Sequence, residues 1–269
     1  MAELEKILEP ADGAPAVAAR LDAVEHHPAI AELRRYSYGL LGLEPADAVV
    51  DVGSGTGRAV AELTGAGFHA IGVDPDEDML AVARTRYPFA DLLSGTGECL
   101  PIRSASMAGY RADKVLHQVA EPIAAVREAR RVLRPGGRAV LLGQDWDALI
   151  IDSSDGVLTR RIVQARADTI PHPRVARSYR DLLLAAGFTA VSLEARTVVF
   201  TEAPLVHMLT GLATAAREAG AVTAEQATVW LTDQRDRAAA GRLMVALPFF
   251  VAAGTAPRPT RAGRRRTSG

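Results

Sequence analysis

The chain is 269 residues long, which accommodates one core with additions. Its composition, 48% hydrophobic and 23% charged, is ordinary for a globular protein and excludes a disordered chain or a fibrous repeat. The formal net charge is −1 and five arginines lie among the last twelve residues, so the rest of the chain carries about −6 and is not predicted to bind nucleic acid.

The first half of the chain has the pattern of an α/β protein. Residues 15–41 are predicted to form two helices before the first strand. Short apolar runs then alternate with helix-like segments, which is typical of parallel strands joined by crossover helices. The five candidate strands are 48–52, 69–74, 90–94, 109–116 and 138–143. A helix is predicted over Glu121–Leu133, ended by Pro135-Gly136-Gly137.

The pattern is looser after residue 143. The predicted elements are helices at 154–169 and 178–186, a strand at 190–200, one or two helices at 203–240 and a last strand at 242–254. This gives three predicted regions: N-terminal helices at 1–45 that cover a ligand site, a main domain at 46–256, and a disordered arginine-rich tail at 257–269. Helical insertions at about 146–176 and 203–240 are expected to form a cap over a substrate.

A glycine-rich turn follows the first strand and opens a helix. Gly53, Gly55 and Gly57 allow a ligand to approach the backbone closely. Dehydrogenases have G-x-G-x-x-G at such a turn, whereas this chain has G-x-G-x-G preceded by Asp51, so a nicotinamide-dependent dehydrogenase is not favoured. Asp74 ends the second strand, where a carboxylate can accept both hydroxyls of a ribose.

Four segments, DVGSGTGR, GVDPDEDML, GTGECLP and LRPGG, resemble the successive motifs of the class I S-adenosylmethionine-dependent methyltransferases. Within these, the chain is most similar to the branch that includes ubiquinone and menaquinone C-methyltransferases. The similarity covers roughly residues 27–145. It implies a Rossmann-like sheet of seven strands, mostly parallel with an antiparallel last strand, and S-adenosyl-L-methionine as the cofactor.

The resemblance also implies roles for single residues. The three glycines would approach the methionine and ribose, Asp51 would orient the turn and the amino-acid ammonium, and Asp74 would bind the ribose hydroxyls. Pro75 and Met79 would lie near the adenine, and Thr96, Gly97 and Glu98 are further implied cofactor contacts. The family commonly has Gly-Asp-Ala where this chain has Gly95-Thr96-Gly97, so Thr96 or a neighbouring backbone group would have to replace the acid.

Methyl transfer from a sulfonium chiefly requires proximity and alignment, and a general base is needed only when the acceptor must lose a proton. His117 follows the fourth strand at the edge where open α/β sheets bind ligands, so it is the leading candidate base, with a pocket-wall role as the alternative. Asp145 after the fifth strand is the second candidate. Trp146 and His172 are candidate substrate contacts, with a cap anchor and a surface residue as their alternatives. No metal-ligand spacing is present.

The sequence therefore predicts methyl transfer to oxygen or carbon of a small, aromatic or polyketide-like metabolite, in bacterial secondary metabolism. The alternative is a cofactor-binding scaffold for a non-methylating reaction such as a cyclisation. Methylation of nucleic-acid bases is not favoured, because ADKVLHQV stands where many such enzymes have N/D-P-P-Y/F.

The expected partner is a small molecule, with a homodimer left open. The single cysteine, Cys99, and the lack of a signal peptide or a long apolar run predict the cytoplasm and no membrane contact.

Overall fold

A computed structural model describes residues 18, 22 and 24–258, and a sheet of eight strands forms its centre. The strands are β1 (Ala48–Val52), β2 (His69–Asp74), β3 (Asp91–Ser94), β4 (Met107–Asp113), β5 (Leu133–Gln144), β6 (Ile150–Ile151), β7 (Thr189–Phe200) and β8 (Val245–Thr255). Strands β3, β2, β1, β4 and β5 are neighbours in that order and run parallel. The antiparallel β8 lies between β5 and β7, and the short β6 pairs with the start of β8. The predicted Rossmann-like sheet with an antiparallel last strand is confirmed, and β6 is an addition to it.

Helices lie between these strands and beyond them. They are α1 (Pro28–Leu41), α2 (Arg58–Gly65), α3 (Glu77–Arg86), α4 (Pro122–Val132), α5 (Gly156–Ala167), α6 (Tyr179–Ala185), α7 (Val206–Glu218) and α8 (Ala224–Ala239). Short 3₁₀ turns occur at Trp146–Ala148, Val175–Ser178 and Ala203–Leu205. Within the described residues, none of the helices combines the length and apolar character needed to cross a bilayer.

The central strands β1, β4 and β5 are buried on both faces, which explains why they read as largely apolar runs. Successive residues of β5 alternate between two buried clusters, because side chains of a strand point to opposite faces. Leu141 belongs to the same buried cluster as Val126 of α4 on one face, and Leu142 to the same cluster as Leu33 of α1 on the other. Inside β5, Gly143 lies directly below the hydroxyl of Tyr179, and a Cβ at this position would overlap that oxygen.

Two predicted boundaries were wrong. Pro135-Gly136-Gly137 does not end α4, because the helix already ends at Val132 and the extended Leu133 pairs with Met107 of β4. The proline and glycines lie instead inside β5, where the register with β4 shifts. The fourth strand ends at Asp113 and not at Leu116, because Lys114 turns the chain with a left-handed φ of 59°.

The segments predicted as insertions are helical and pack together. Trp230 of α8 is fully buried and donates a hydrogen bond from Nε1 to Thr159 Oγ1 of α5, at 2.9 Å. Leu209 and Leu212 of α7 belong to the same buried cluster. Whether these helices cover a substrate stays a prediction. Residues 1–17, and the arginine-rich tail from residue 259 onward, lie outside the described residues.

Candidate active site

A cavity of about 580 Å³ opens at the carboxyl ends of β1, β2 and β4. This is the edge at which parallel α/β sheets bind ligands. Its wall includes all the residues that the sequence assigns to the cofactor except Gly57: Asp51, Gly53, Gly55, Asp74, Pro75, Met79, Thr96, Gly97 and Glu98. The fold therefore brings together nine residues that are spread over three separate segments of the chain.

The glycine turn forms one side of this cavity. Gly53, Gly55 and Gly57 have φ values of 67°, 51° and 78°, a left-handed conformation that glycine adopts without steric cost. A Cβ on Gly53 would also overlap Cγ2 of Val115. Gly57 is the N-cap of α2 and faces Ala83 of α3, so its role is to let these helices approach each other.

Asp74 is held in a fixed orientation at the end of β2. Its Oδ2 accepts a hydrogen bond from the Gly55 N–H at 2.8 Å, and its Oδ1 accepts one from the Asp76 N–H at 2.9 Å. Burial raises the pKa of Asp74, and these two N–H groups offset part of the rise. Each carboxylate oxygen has a second lone pair, so Asp74 can still accept hydroxyl groups from the cavity.

Asp51 is paired with a buried arginine that sequence analysis missed. Arg111 lies opposite Asp51 in the register of β1 and β4, and its Nη1 donates to Asp51 Oδ1 at 2.6 Å. Arg111 also donates to Asp113 Oδ2 at 2.5 Å and to Ser37 Oγ at 2.8 Å. Burial raises the pKa of Asp51 and outweighs the opposing charge of Arg111. No hydrogen bond to Asp51 Oδ2 occurs among the described residues, so this oxygen can accept one from a ligand.

Ion pairs continue from Arg111 to the segment before α1. Lys114 Nζ lies 2.8 Å from both Asp113 Oδ1 and Glu25 Oε1, and Arg34 donates to Glu25 Oε2 at 2.5 Å. Burial alone raises the pKa of Asp113, but the charges of Lys114 and Arg111 outweigh it and hold that pKa below its ordinary value. Glu25 and Arg34 both line the cavity, so the N-terminal region forms part of its wall.

The side predicted to hold an adenine contains a carboxylate that is already engaged. Glu98 Oε1 accepts hydrogen bonds from the N–H groups of Ala120, at 3.0 Å, and Glu121, at 3.4 Å, and so caps the start of α4. Ser54 is another residue of the cavity wall, but its buried hydroxyl lies beside Gly72 of β2 and has no partner among the described residues.

The two predicted catalytic residues do not line this cavity. Val115, Gln118 and Val119 face it, whereas His117 packs its ring edge-on against Trp146 with the ring centroids 6.0 Å apart. His117 is only 7% exposed. Burial, followed by the positive charges of Arg166 and Lys114, lowers its pKa to about 4.

Asp145 is buried and binds Arg177 through both carboxylate oxygens. His172 Nε2 lies 3.2 Å from the carbonyl oxygen of Ala120, and the His172 N–H donates to the His117 carbonyl at 3.1 Å. The structure thus brings His117, Trp146 and His172 together beside the cavity and commits Asp145 to an ion pair. Their catalytic and substrate roles stay predictions.

Comparison with known proteins places this geometry in a family. Residues 50–141 match the family described as a methyltransferase domain. An uncharacterised 37.1 kDa protein in a transposon of Streptomyces fradiae is 34% identical over 221 residues, which cover 78% of this chain and 63% of that protein. A demethylmenaquinone methyltransferase of Renibacterium salmoninarum is 32% identical over 108 residues, or 40% of this chain and 46% of that one. The chain therefore spans less than two thirds of the length of either relative.

A solved structure shares the fold at low identity. It is phosphoethanolamine N-methyltransferase 2 of Haemonchus contortus, determined in complex with S-adenosyl-L-methionine, and it matches with a TM-score of 0.55 and 14% identity over 84% of this chain and 53% of that one. The family match includes β1, the glycine turn and β4, which form the cavity wall described above. Residues 50–141 of this chain are thus similar to a methyltransferase domain, and the described fold is that of class I methyltransferases.

Proposed function

We propose that this chain binds S-adenosylmethionine in the cavity and catalyses methyl transfer to oxygen or carbon of a small metabolite. The observation that carries the proposal is the meeting of the glycine turn with the fixed carboxylate of Asp74 in one cavity. The free oxygen of Asp51 suits the ammonium of the cofactor's amino acid. When bound, the cofactor supplies a methyl group that its sulfonium has already activated.

The carboxylates of the cavity support a mechanism based on proximity and alignment. Every carboxylate that lines the cavity accepts a hydrogen bond from a cation or from a backbone N–H. These contacts engage the carboxylates in holding the turn, the N-terminal segment and the cofactor, so we assign none of them as the base that deprotonates the acceptor. The protein therefore holds the acceptor in line with the methyl group, and a phenol, an enol or another acceptor that ionises readily is the best-suited substrate. This chemistry agrees with an aromatic or polyketide-like metabolite from bacterial secondary metabolism.

Calorimetric titration with S-adenosylmethionine and with its demethylated product tests cofactor binding. Replacing Asp74 by Asn should weaken binding of both roughly 10- to 100-fold, the range for hydrogen bonds to a charged group. Asp91→Asn is the matched control, because Asp91 is an exposed aspartate of the neighbouring strand that does not line the cavity. Equal binding by wild type and Asp74→Asn would show that the ribose is held elsewhere, and no binding by the folded wild type would refute the proposal.

The non-methylating alternative is separated by following the cofactor during turnover. A methyltransferase consumes one S-adenosylmethionine for each product and increases the product's mass by one methyl group. A scaffold for cyclisation converts its substrate without consuming the cofactor. Mass spectrometry of candidate phenols and polyketides incubated with protein and cofactor distinguishes the two.

A further inference from the structure

A second group of polar side chains lies at the carboxyl end of β5 and in the turn that follows it. Gln144 ends this strand and is only 6% exposed. Its Oε1 and the indole Nε1 of Trp146 are both buried and have no hydrogen-bond partner among the described residues. One acceptor and one donor, two positions apart in the chain, thus lack partners in the part of the chain that the structure describes. Buried polar groups are normally paired, so unpaired ones of this kind indicate a ligand or an ordered water.

A positive charge from the helical insertion lies over the same tryptophan. The guanidinium carbon of Arg166, on α5, is 5.4 Å from the centroid of the Trp146 ring. Its Nη1 donates to Thr169 Oγ1 at 2.5 Å, but within the described residues no carboxylate oxygen lies within 4.0 Å of its guanidinium nitrogens. Burial lowers the pKa of Arg166. This arginine is therefore half-buried and its charge is not neutralised by an acid.

The acids on either side of Trp146 do not balance this charge. Asp145 and Asp147 both bind Arg177, and Asp147 also lies 3.8 Å from Arg174. Lys114, the other cation that acts on His117, is itself paired with Asp113 and Glu25, so Arg166 carries the unbalanced charge. The surroundings of Trp146 therefore have an excess of positive charge, together with a flat aromatic surface and unpaired polar atoms.

We propose that Arg166, Trp146 and Gln144 form a subsite that binds an aromatic carboxylate, and that this group anchors the substrate of the methyltransferase. The carboxylate would accept two hydrogen bonds from the Arg166 guanidinium, whose planar fork matches it. The aromatic ring would pack beside Trp146, and Gln144 Oε1 would accept a hydrogen bond from a hydroxyl on the ring. A substrate held here lies next to the cofactor cavity, because residues 115–119 contribute to both. The role as a substrate subsite rests on the function proposed above.

The test uses small probes and needs no turnover. Trp146 is one of only two tryptophans in the chain, the other being the fully buried Trp230, so ligand binding can be followed by intrinsic fluorescence. The probes are benzoate and 2-hydroxybenzoate, with benzamide as the neutral analogue. Both acids should quench the fluorescence with saturation, and benzamide should not. Arg166→Gln should weaken binding of the acids by about tenfold or more. Arg160→Gln, an exposed arginine on the same helix, should bind them as wild type does.

A second readout checks that the anion lies near Arg166. Binding of benzoate should neutralise a charge that acts on His117, so the pKa of this imidazole, measured by nuclear magnetic resonance, should rise when the probe is present. Equal affinity for benzamide, unchanged binding in Arg166→Gln, or no saturable binding of either acid would overturn the subsite.

Calorimetry with S-adenosylmethionine distinguishes this result from a failure of the proposed function. Arg166→Gln should bind the cofactor as wild type does. Probe binding through Arg166 in a protein that binds no cofactor would leave the subsite in place and remove the methyltransferase proposal. Normal cofactor binding without probe binding would remove the subsite and leave the methyltransferase proposal in place.

Discussion

Arg111 lies in a strand whose neighbouring residues are buried, and all of its partners come from the protein itself. Ser37, Asp51 and Asp113 accept from its three nitrogens, so the cost of burying the charge is offset by hydrogen bonds and by two opposite charges. The pattern RAD within an apolar run could have indicated a buried ion pair, because an arginine is almost never fully buried alone. The identity of its partner could not be read from the sequence, since it depends on the register between β1 and β4.

His117 makes the stability of the protein depend on pH. Its pKa is about 4 in the folded chain and 6.5 in the absence of burial and neighbours. The unfolded chain therefore binds more protons between these values, and the folded state loses stability as pH falls from 6.5 towards 4. Between pH 7 and pH 4.5 the loss should be about 2 kcal/mol. Urea unfolding of wild type and His117→Gln at both values measures it, because the variant lacks this contribution.

His69→Gln, which changes an exposed histidine of β2, is the control and should follow wild type at both pH values. A stability difference between wild type and His117→Gln that does not change with pH would contradict the low pKa of His117.

The same low pKa bears on the predicted catalytic role of His117. His117 is unprotonated at pH 7, but an imidazole with a pKa of about 4 is a weak base. This favours a wall role, and the role as base stays a prediction.

At the scale of the elements, the glycine turn depends on the segment after β4. Gly53→Ala should destabilise the protein by roughly 1–3 kcal/mol, because its Cβ would overlap Val115 and its φ of 67° disfavours a side chain. Calorimetry should show weaker cofactor binding as well. Val115→Ala in the same chain should restore part of the stability, since it makes space but leaves the φ unchanged.

Gly211→Ala provides the comparison for this prediction. Gly211 lies inside α7, and a Cβ there would meet no atom within 4 Å. This substitution should be neutral or slightly stabilising, because alanine favours a helix more than glycine does. Thermal unfolding of the three variants is the measurement, and a fully stable Gly53→Ala protein would show that the turn can rearrange.

The elements that the sequence predicted best are those bounded by local signals. Strands β1 and β2 begin and end as predicted, because each is a short apolar run between a turn and a helix start. Strand β6 could not be predicted, since two residues carry no pattern and become a strand only by pairing with β8. The start of β5 depends likewise on pairing with Met107, which overrides the turn signal of Pro135-Gly136-Gly137.

The candidate site likewise contains residues whose position the sequence predicted and residues whose position it could not predict. The turn and the acid that follow β1 and β2 line the cavity as the motifs indicated, because the motifs belong to adjacent parallel strands. The position of His117 depends on which way one short segment faces, and a sequence does not specify that. Arg166 comes from an insertion and meets Trp146 only through the packing of α5 against the turn at Trp146–Ala148.

At the scale of the whole molecule, two described acids before α1 form ion pairs with the rest of the structure. Asp22 pairs with Arg58 and Arg86 at 3.3 and 2.7 Å, and Glu25 pairs with Lys114 at 2.8 Å. Glu25→Gln should therefore increase the rate at which the cofactor leaves the cavity, by about threefold to tenfold at low salt. Raising the salt concentration should bring wild type closer to the variant, because ions screen partly exposed pairs.

Stopped-flow displacement of the bound cofactor at two salt concentrations measures this effect. Glu32→Gln, an exposed glutamate on α1, is the matched control and should leave the rate unchanged. Identical rates for wild type and Glu25→Gln at low salt would show that the segment does not hold the cofactor in place.

The contact between Gly143 and Tyr179 has a consequence for the history of this chain. A side chain at position 143 and a tyrosine at position 179 cannot occupy the same space, since even a methyl group on the glycine would overlap the phenolic oxygen. The glycine can therefore be replaced in a descendant only after the tyrosine has become smaller, whereas the tyrosine can change first and leave a gap. Descendants of this protein should show an ordered pair of substitutions at these positions, with the change on α6 preceding the change in β5.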